Sequence, residues 1–132
     1  KAIYGEARGC AEQEKIAVAC SIINRWKTGY FGKTLTDTIL IPRHFSCFNE
    51  EDPNKRKIEV AKTEDKKTWD ECYRLAKEVA EGKYSDLSKG ATHYFDPRYA
   101  NPKWKKEMKY IGYIPTIKGK SEQVFLRFIP KH

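Results

Sequence analysis

The sequence predicts an α+β chain, mainly helical, with a small antiparallel β element at its C-terminal end. Three observations carry this. Apolar residues recur at helical spacing over residues 2–10, 11–27 and 67–81. From residue 83 that pattern gives way to turn residues and two breaks, Asp96-Pro97 and Asn101-Pro102. Beyond them, residues 110–117 are β-branched and aromatic, and 123–129 partly alternate. A turn over 118–122, containing Gly119, would join the two as a hairpin.

The first helix is the stretch to which the rest is referred. At about 100° per residue, Ala2, Ile3, Tyr4, Ala7 and Cys10 fill one arc, and Lys1, Gly5 and Arg8 fill the other. Glu6 falls inside the apolar arc. A carboxylate there is drawn toward the core, and burial disfavours its charged form, as a general acid near neutral pH requires. The plainer alternative is a Glu paired with Arg8 or capping a neighbouring helix. Gly9 can end this helix.

A second helix is expected over residues 11–27, with Glu12 and Glu14 in its first turn, where the helix dipole favours negative charge. Its apolar residues cover most of the circumference, so it should be buried. Ser21 and Arg25 share the polar strip. Asn24 lies between Cys20 and Ala17 on the wheel, and a sequestered amide must find partners. It either braces the loop before the first helix or contacts a ligand.

Residues 27–32 read as a loop, and 36–40 as a short helix capped by Thr34 or Thr36 and stopped before Pro42. A polar-aromatic loop follows over 43–54, with Pro53-Asn54 as a turn, and the charged residues 55–66 should be exposed. The amphipathic helix over 67–81 buries Trp69, Cys72, Tyr73, Ala76, Val79 and Ala80, and Gly82 ends it. Residues 86–90 make a turn and 91–95 a short extended piece. Trp104 is expected to pack in the core.

The 132 residues fit one domain, long enough to bury about two-thirds of the unfolded surface. Lys and Arg number 26 against 18 Asp and Glu, for a net charge of +8. Such a field favours polyanionic partners, but only short basic clusters occur, at 55–57, 66–67 and 103–106, and none is a nucleic-acid-binding arm. Cysteines stand at 10, 20, 47 and 72 without a C-x-x-C pair, which argues against a zinc ribbon or a thioredoxin-like site. Reduced thiols are expected. No apolar run approaches the roughly 18 residues of a membrane span, and no signal peptide is visible. Five residues precede Glu6, so an export signal, a binding module or an opening helical turn is expected ahead of the first residue.

Ile3-Tyr4-Gly5-Glu6-Ala7-Arg8-Gly9, then Ile16-Ala17-Val18-Ala19 and Ile23-Asn24-Arg25, resembles the catalytic domain of the SleB/CwlJ-type cell wall hydrolases. The similarity runs on through Pro42-Arg43-His44-Phe45-Ser46-Cys47-Phe48-Asn49, Asp52-Pro53-Asn54 and Gly90-Ala91-Thr92-His93-Tyr94, then weakens. The resemblance implies a lysozyme-like fold and a lytic transglycosylase that cuts peptidoglycan between N-acetylmuramic acid and N-acetylglucosamine, leaving 1,6-anhydro ends, without metal or cofactor. It places the catalytic acid/base at Glu6. Phe45, Ser46, His93 and Tyr94 become substrate-binding candidates, with Asn24 behind them. At Cys10 the chain departs from relatives that carry a second glutamate; Glu12 or Glu14 would have to supply any such assistance.

Of the acidic residues Glu12, Glu14, Asp37, Asp52, Asp86 and Asp96, none shares an apolar pattern as Glu6 does, so one carboxylate is expected to do the work. Three other readings stay open. A hydrolytic muramidase would use the same Glu6. A zinc amidase needs three ligands, yet only His44, His93 and His132 exist, without zinc-ligand spacing. A basic wall- or nucleic-acid-binding module would need no catalyst. A Cys47–His44 or Cys47–His93 nucleophile was weighed beside them. The expected partners are glycan strands and anionic wall polymers, with no nucleic acid and no stable membrane insertion. The expected setting is a monomer acting in the bacterial wall or periplasm, exported or released as a phage lysin, with spore germination and wall remodelling equally open.

Overall fold

A computed structural model describes residues 1–40 and 53–129. Five helices and five short strands are found among them: α1 Ala2–Ala7, α2 Glu12–Lys27, α3 Leu35–Leu40, α4 Pro53–Glu64, α5 Lys66–Ala80, then β1 His93–Phe95, β2 Lys109–Gly112, β3 Pro115–Thr116, β4 Gly119–Lys120 and β5 Val124–Arg127. A 3₁₀ turn, Lys103–Glu107, lies between β1 and β2. The expected class, mainly helical with a small antiparallel sheet at the end, is what forms.

Helix α2 is the hub, packing against α1, α3, α5, β1 and β3. Its buried face runs unbroken from Glu14 to Ile22 and resumes at Arg25. The expected polar strip is therefore wrong for Ser21 and Arg25, which are both buried. Each meets the need of a sequestered donor: Ser21 Oγ donates to the Val18 carbonyl at 2.7 Å, and Arg25 Nε to the Thr92 carbonyl at 2.7 Å. Lys15 is buried as well, and its Nζ reaches Glu71 Oε1 on α5 at 2.8 Å.

Two helical expectations are corrected. Pro53-Asn54 is no turn; it opens α4, where proline costs nothing because a first-turn N–H has no intrahelical partner. The charged run after it is not wholly exposed either. Ile58 and Ala61 are buried, spaced to lie on one face. On α5 the buried residues are Cys72, Leu75 and Val79, with Trp69 partly buried beside them. Tyr73 is 66% exposed, and Ala76 and Ala80 are exposed too. Leu75, absent from the expected set, is fully buried.

The helix ends follow local chemistry. Thr34 Oγ1 accepts the Asp37 N–H at 3.0 Å and caps α3. Gly82, at φ +76, closes α5 with paired bonds, its own N–H to the Val79 carbonyl and that of Lys83 to the Glu78 carbonyl. Asp65, between α4 and α5, accepts the hydroxyl of the buried Tyr4 at 2.9 Å, which ties the α4–α5 corner to α1.

The sheet has the order β1-β5-β2, all antiparallel, with Tyr94 opposite Phe125. The β3–β4 hairpin is inserted between β2 and β5, with its turn at Ile117-Lys118, earlier than the expected 118–122. Ser121 locks its base, accepting the Ile114 N–H and donating to the Gln123 carbonyl.

Asn24 Nδ2 donates to Asp86 Oδ2 at 2.8 Å, the Ala91 carbonyl at 2.9 Å and Ser88 Oγ at 3.4 Å. Burial opposes the charge on Asp86, but hydrogen bonds from Ser88, Asn24 and the Gly90 backbone outweigh it and hold the carboxyl below its usual range. A lowered folded value stabilises above the unfolded value of about 3.9 and loses that contribution as pH falls through the folded one. Asn24→Ala should therefore cost about 1–3 kcal/mol at neutral pH. Urea titrations should show that deficit shrinking once the medium is acid enough to protonate Asp86.

Candidate active site

Helix α1 is short, and its buried residues are Ile3, Tyr4 and Ala7. Glu6 stands at the edge of that arc, half-buried, in the wall of an open trough of about 900 Å³. Tyr94 and Phe95 from β1, Asp96 and Arg98 from the loop after it, and Trp104 from the 3₁₀ turn complete the opposite side. Cys10, Glu122 and Gln123 also line the trough, and Gln123 Nε2 donates to the Glu6 carbonyl at 3.5 Å.

Arg25, buried on α2, is coupled electrostatically to Glu6. Burial pushes its guanidinium pKa down, and the Tyr94 and Glu6 charges act against that shift, so both groups are within its electrostatic reach. With Nε on the Thr92 carbonyl, Arg25 also fixes the strand that presents Tyr94. The Tyr94 ring packs on Phe125, centroids 6.0 Å apart.

The expected site residues separate. Glu6 and Tyr94 share the trough. His93 sits in an adjoining aromatic hollow of about 380 Å³, between Phe31 and Trp104, each with its centroid 5.3 Å away. Its Nδ1 is hydrogen-bonded to Thr92 Oγ1 at 2.9 Å. Tyr94 and Trp104 border both spaces. Asn24 faces the 86–91 turn and not the trough. Phe45 and Ser46 lie outside the described residues, as do His44, Cys47, Asp52 and His132.

Four residues escaped the sequence reading. Trp104, expected in the core, is 37% exposed and lines the trough. Arg25 could have been suspected from a charge on a helix apolar nearly all round. Glu14 is only 1% exposed, more sequestered than Glu6, contrary to the expectation that no other carboxylate would be; Glu12 instead pairs with Arg74 at 3.6 Å. Arg98 grips Asp96 with Nε and Nη2, the shorter contact 2.7 Å, and Nη2 also lies 3.3 Å from Glu122 Oε2. Those bonds, with the Arg98 backbone N–H, hold the Asp96 carboxyl below its usual range. Asp96 is thus kept ionised, unsuited to deliver a proton. Among the described residues, potential metal donors converge at Cys10, Glu14 and Glu122, within 4.8 Å of one another.

Comparisons with known proteins identify the family and the fold. A family model described as Cell Wall Hydrolase matches residues 9–116, so Glu6 stands just ahead of the matched stretch. A spore cortex-lytic enzyme of Oceanobacillus iheyensis is 32% identical over 116 residues, 84% of this chain; the chain spans 37% of that relative's length. The catalytic domain of the germination-specific lytic transglycosylase SleB from Bacillus anthracis superposes with a TM-score of 0.71 at 25% identity, covering 96% of this chain and 88% of that one. The Bacillus cereus SleB catalytic domain gives 0.67 at 24% identity, covering 96% and 84%, a likeness of fold.

Removing the guanidinium should free Asp96. In Arg98→Ala the Asp96 carboxyl is expected to titrate higher, back toward the ordinary value of about 3.9, as followed by carboxyl-carbon NMR.

Proposed function

The chain belongs to the Cell Wall Hydrolase family, and from that premise we propose that it cleaves the glycan strands of peptidoglycan as a lytic transglycosylase, with Glu6 as its single acid/base. The observation that carries the proposal is a half-buried carboxylate in the wall of a trough of saccharide size, faced by Tyr94 and Trp104. Ligand sites of about 300–1,000 Å³ are ordinary, and aromatic faces suit the apolar faces of sugar rings.

In this mechanism Glu6 enters protonated and gives its proton to the glycosidic oxygen that leaves N-acetylmuramic acid. Positive charge develops at the anomeric carbon. The carboxylate left behind is steadied by the Arg25 guanidinium. Glu6 then takes the proton of the same sugar's C6 hydroxyl as that oxygen closes on the anomeric carbon. The glutamate ends protonated, no water is consumed, and a 1,6-anhydro end results. Tyr94 is assigned to the reacting sugar, Trp104 to stacking on a neighbouring ring. Asn24 acts at a distance, through the turn that leads into β1.

The basic surface is proposed to hold the enzyme to anionic wall polymers, with the chain working as a monomer in the bacterial wall. Whether export or phage lysis delivers it does not alter the chemistry. A muramidase outcome, with water in place of the C6 hydroxyl, has one observation in its favour, the ionised Asp96 across the trough; its occupation by Arg98 weighs against it.

Purified sacculi digested by the wild-type chain should yield muropeptide ends one water lighter than reducing ends. Glu6→Gln should still fold, with a melting temperature lowered by the loss of a counter-charge near Arg25, and lose at least about 100-fold in rate. Reducing ends would turn the assignment to muramidase, and an active Glu6→Gln would remove Glu6 from it.

Lysis should also slow as added salt shortens the screening length around the basic surface. Turbidity assays across ionic strength check this, and a salt-independent rate would discard the electrostatic tether.

A further inference from the structure

We propose that Cys10, Glu14 and Glu122 form a binding site for one zinc-class divalent cation beside the trough, and that its occupation slows cleavage. The site would be additional to the acid/base chemistry, which needs no metal.

The three donors come from distant parts of the chain: the α1–α2 turn, the first turn of α2 and the link between β4 and β5. Their ligand atoms all lie within 4.8 Å of one another, and Cys10 Sγ is 3.6 Å from Glu122 Oε2. Zinc–sulfur and zinc–oxygen bonds of about 2.3 and 2.0–2.2 Å set tetrahedral ligand spacings of about 3.5 Å, so this pair already has the separation a shared ion requires.

The cluster is anchored. Glu14 Oε1 accepts the Glu122 N–H at 2.7 Å, which fixes the β4–β5 link against α2. Its second oxygen, Oε2, is buried without a hydrogen-bond partner, in a residue only 1% exposed. A sequestered carboxylate oxygen with at most the weak Cys10 S–H near it is under-satisfied, and a cation between it and Cys10 would satisfy it. Arg98, half exposed, pairs with Glu122 and not with Glu14.

The donor set selects the class of ion. A thiolate with two carboxylates suits borderline-soft zinc over magnesium or calcium, which take oxygen ligands. Three protein ligands leave one position for water. Burial and the Glu14 and Glu122 charges push the Cys10 thiol up, so the metal-free protein holds the protonated form. On binding, the S–H proton passes to solvent as the zinc–sulfur bond forms, and no oxidant or reductant is involved. Cys10 and Glu122 line the space that Glu6 faces, and an ion fixed there obstructs the saccharide. This last step rests on the cleavage reading; the binding itself does not.

The test is titration of the metal-free full chain, kept reduced, with cobalt(II) as the spectroscopic probe for zinc. One equivalent should raise a thiolate-to-cobalt charge-transfer band in the near ultraviolet, and one equivalent of zinc should erase it. The band should vanish in Cys10→Ser and persist in Cys47→Ser. Glu14→Gln should weaken binding at least tenfold; should that variant misfold, the exposed Glu122→Gln serves in its place. No band, or a band lost with Cys47 and kept without Cys10, overturns the site. Saturating zinc should slow sacculus lysis at least fivefold, and an unchanged rate overturns the inhibitory part. Failure of the metal-free chain to lyse sacculi would instead sink the cleavage reading and leave the spectroscopic result standing.

Discussion

Arg25 is the constraint on which the site depends. A guanidinium that is 4% exposed, on the buried face of α2, is tolerable only if its donors are met and its charge is balanced. The Thr92 carbonyl accepts from Nε, and Glu6 lies within electrostatic reach of the group. Meeting that demand fixes the start of β1 against the middle of α2. Strand geometry then determines the rest, since β1 pairs with β5 and sets Tyr94 over Phe125. The trough is thus the space between two elements drawn together by a buried charge. Its walls are as rigid as that contact.

The same logic governs the carboxylates. Three line the trough, Glu6, Asp96 and Glu122, and their surroundings differ. Arg98 lies between Asp96 and Glu122 and pairs with both. Glu6 has a different neighbour, the Arg25 guanidinium. The glutamate stands on the opposite wall, at the rim of the α1 core arc. Groups of one chemical type acquire separate roles when their environments differ. Arg98 holds Asp96 as an anion, while Glu6 lies within the field of the buried Arg25.

Much of this was legible in the sequence because it is local. The apolar arc of α1 placed Glu6 at the core edge, the all-round hydrophobicity of α2 foretold its burial, and Gly82 marked the end of α5. What failed was set by tertiary partners. Helix α4 has only Ile58 and Ala61 as deeply buried apolar anchors, too few to show a period. Tyr73 and Leu75 exchanged roles because the core meets α5 slightly further round than the pattern's centre. Trp104, expected in the core, is carried by the 3₁₀ turn to the lining of the trough instead. The burial of Glu14 could not be read locally at all: the N–H that it accepts belongs to Glu122, 108 positions away.

Cys10 ties that nonlocal contact back to the departure noted at the sequence level. Glu14 is buried beside position 10, with Glu122 on its other side, so a third carboxylate at this point would meet two like charges within a few ångströms. Like charges so placed cannot all ionise at neutral pH without a compensating cation. A thiol removes the conflict. It stays neutral, pushed up by burial and by the two carboxylates, and it gives the Glu122 carboxylate a weak donor. A thiol at position 10 is therefore compatible with a fully buried Glu14, and Glu14 in turn holds the β4–β5 link beside the trough.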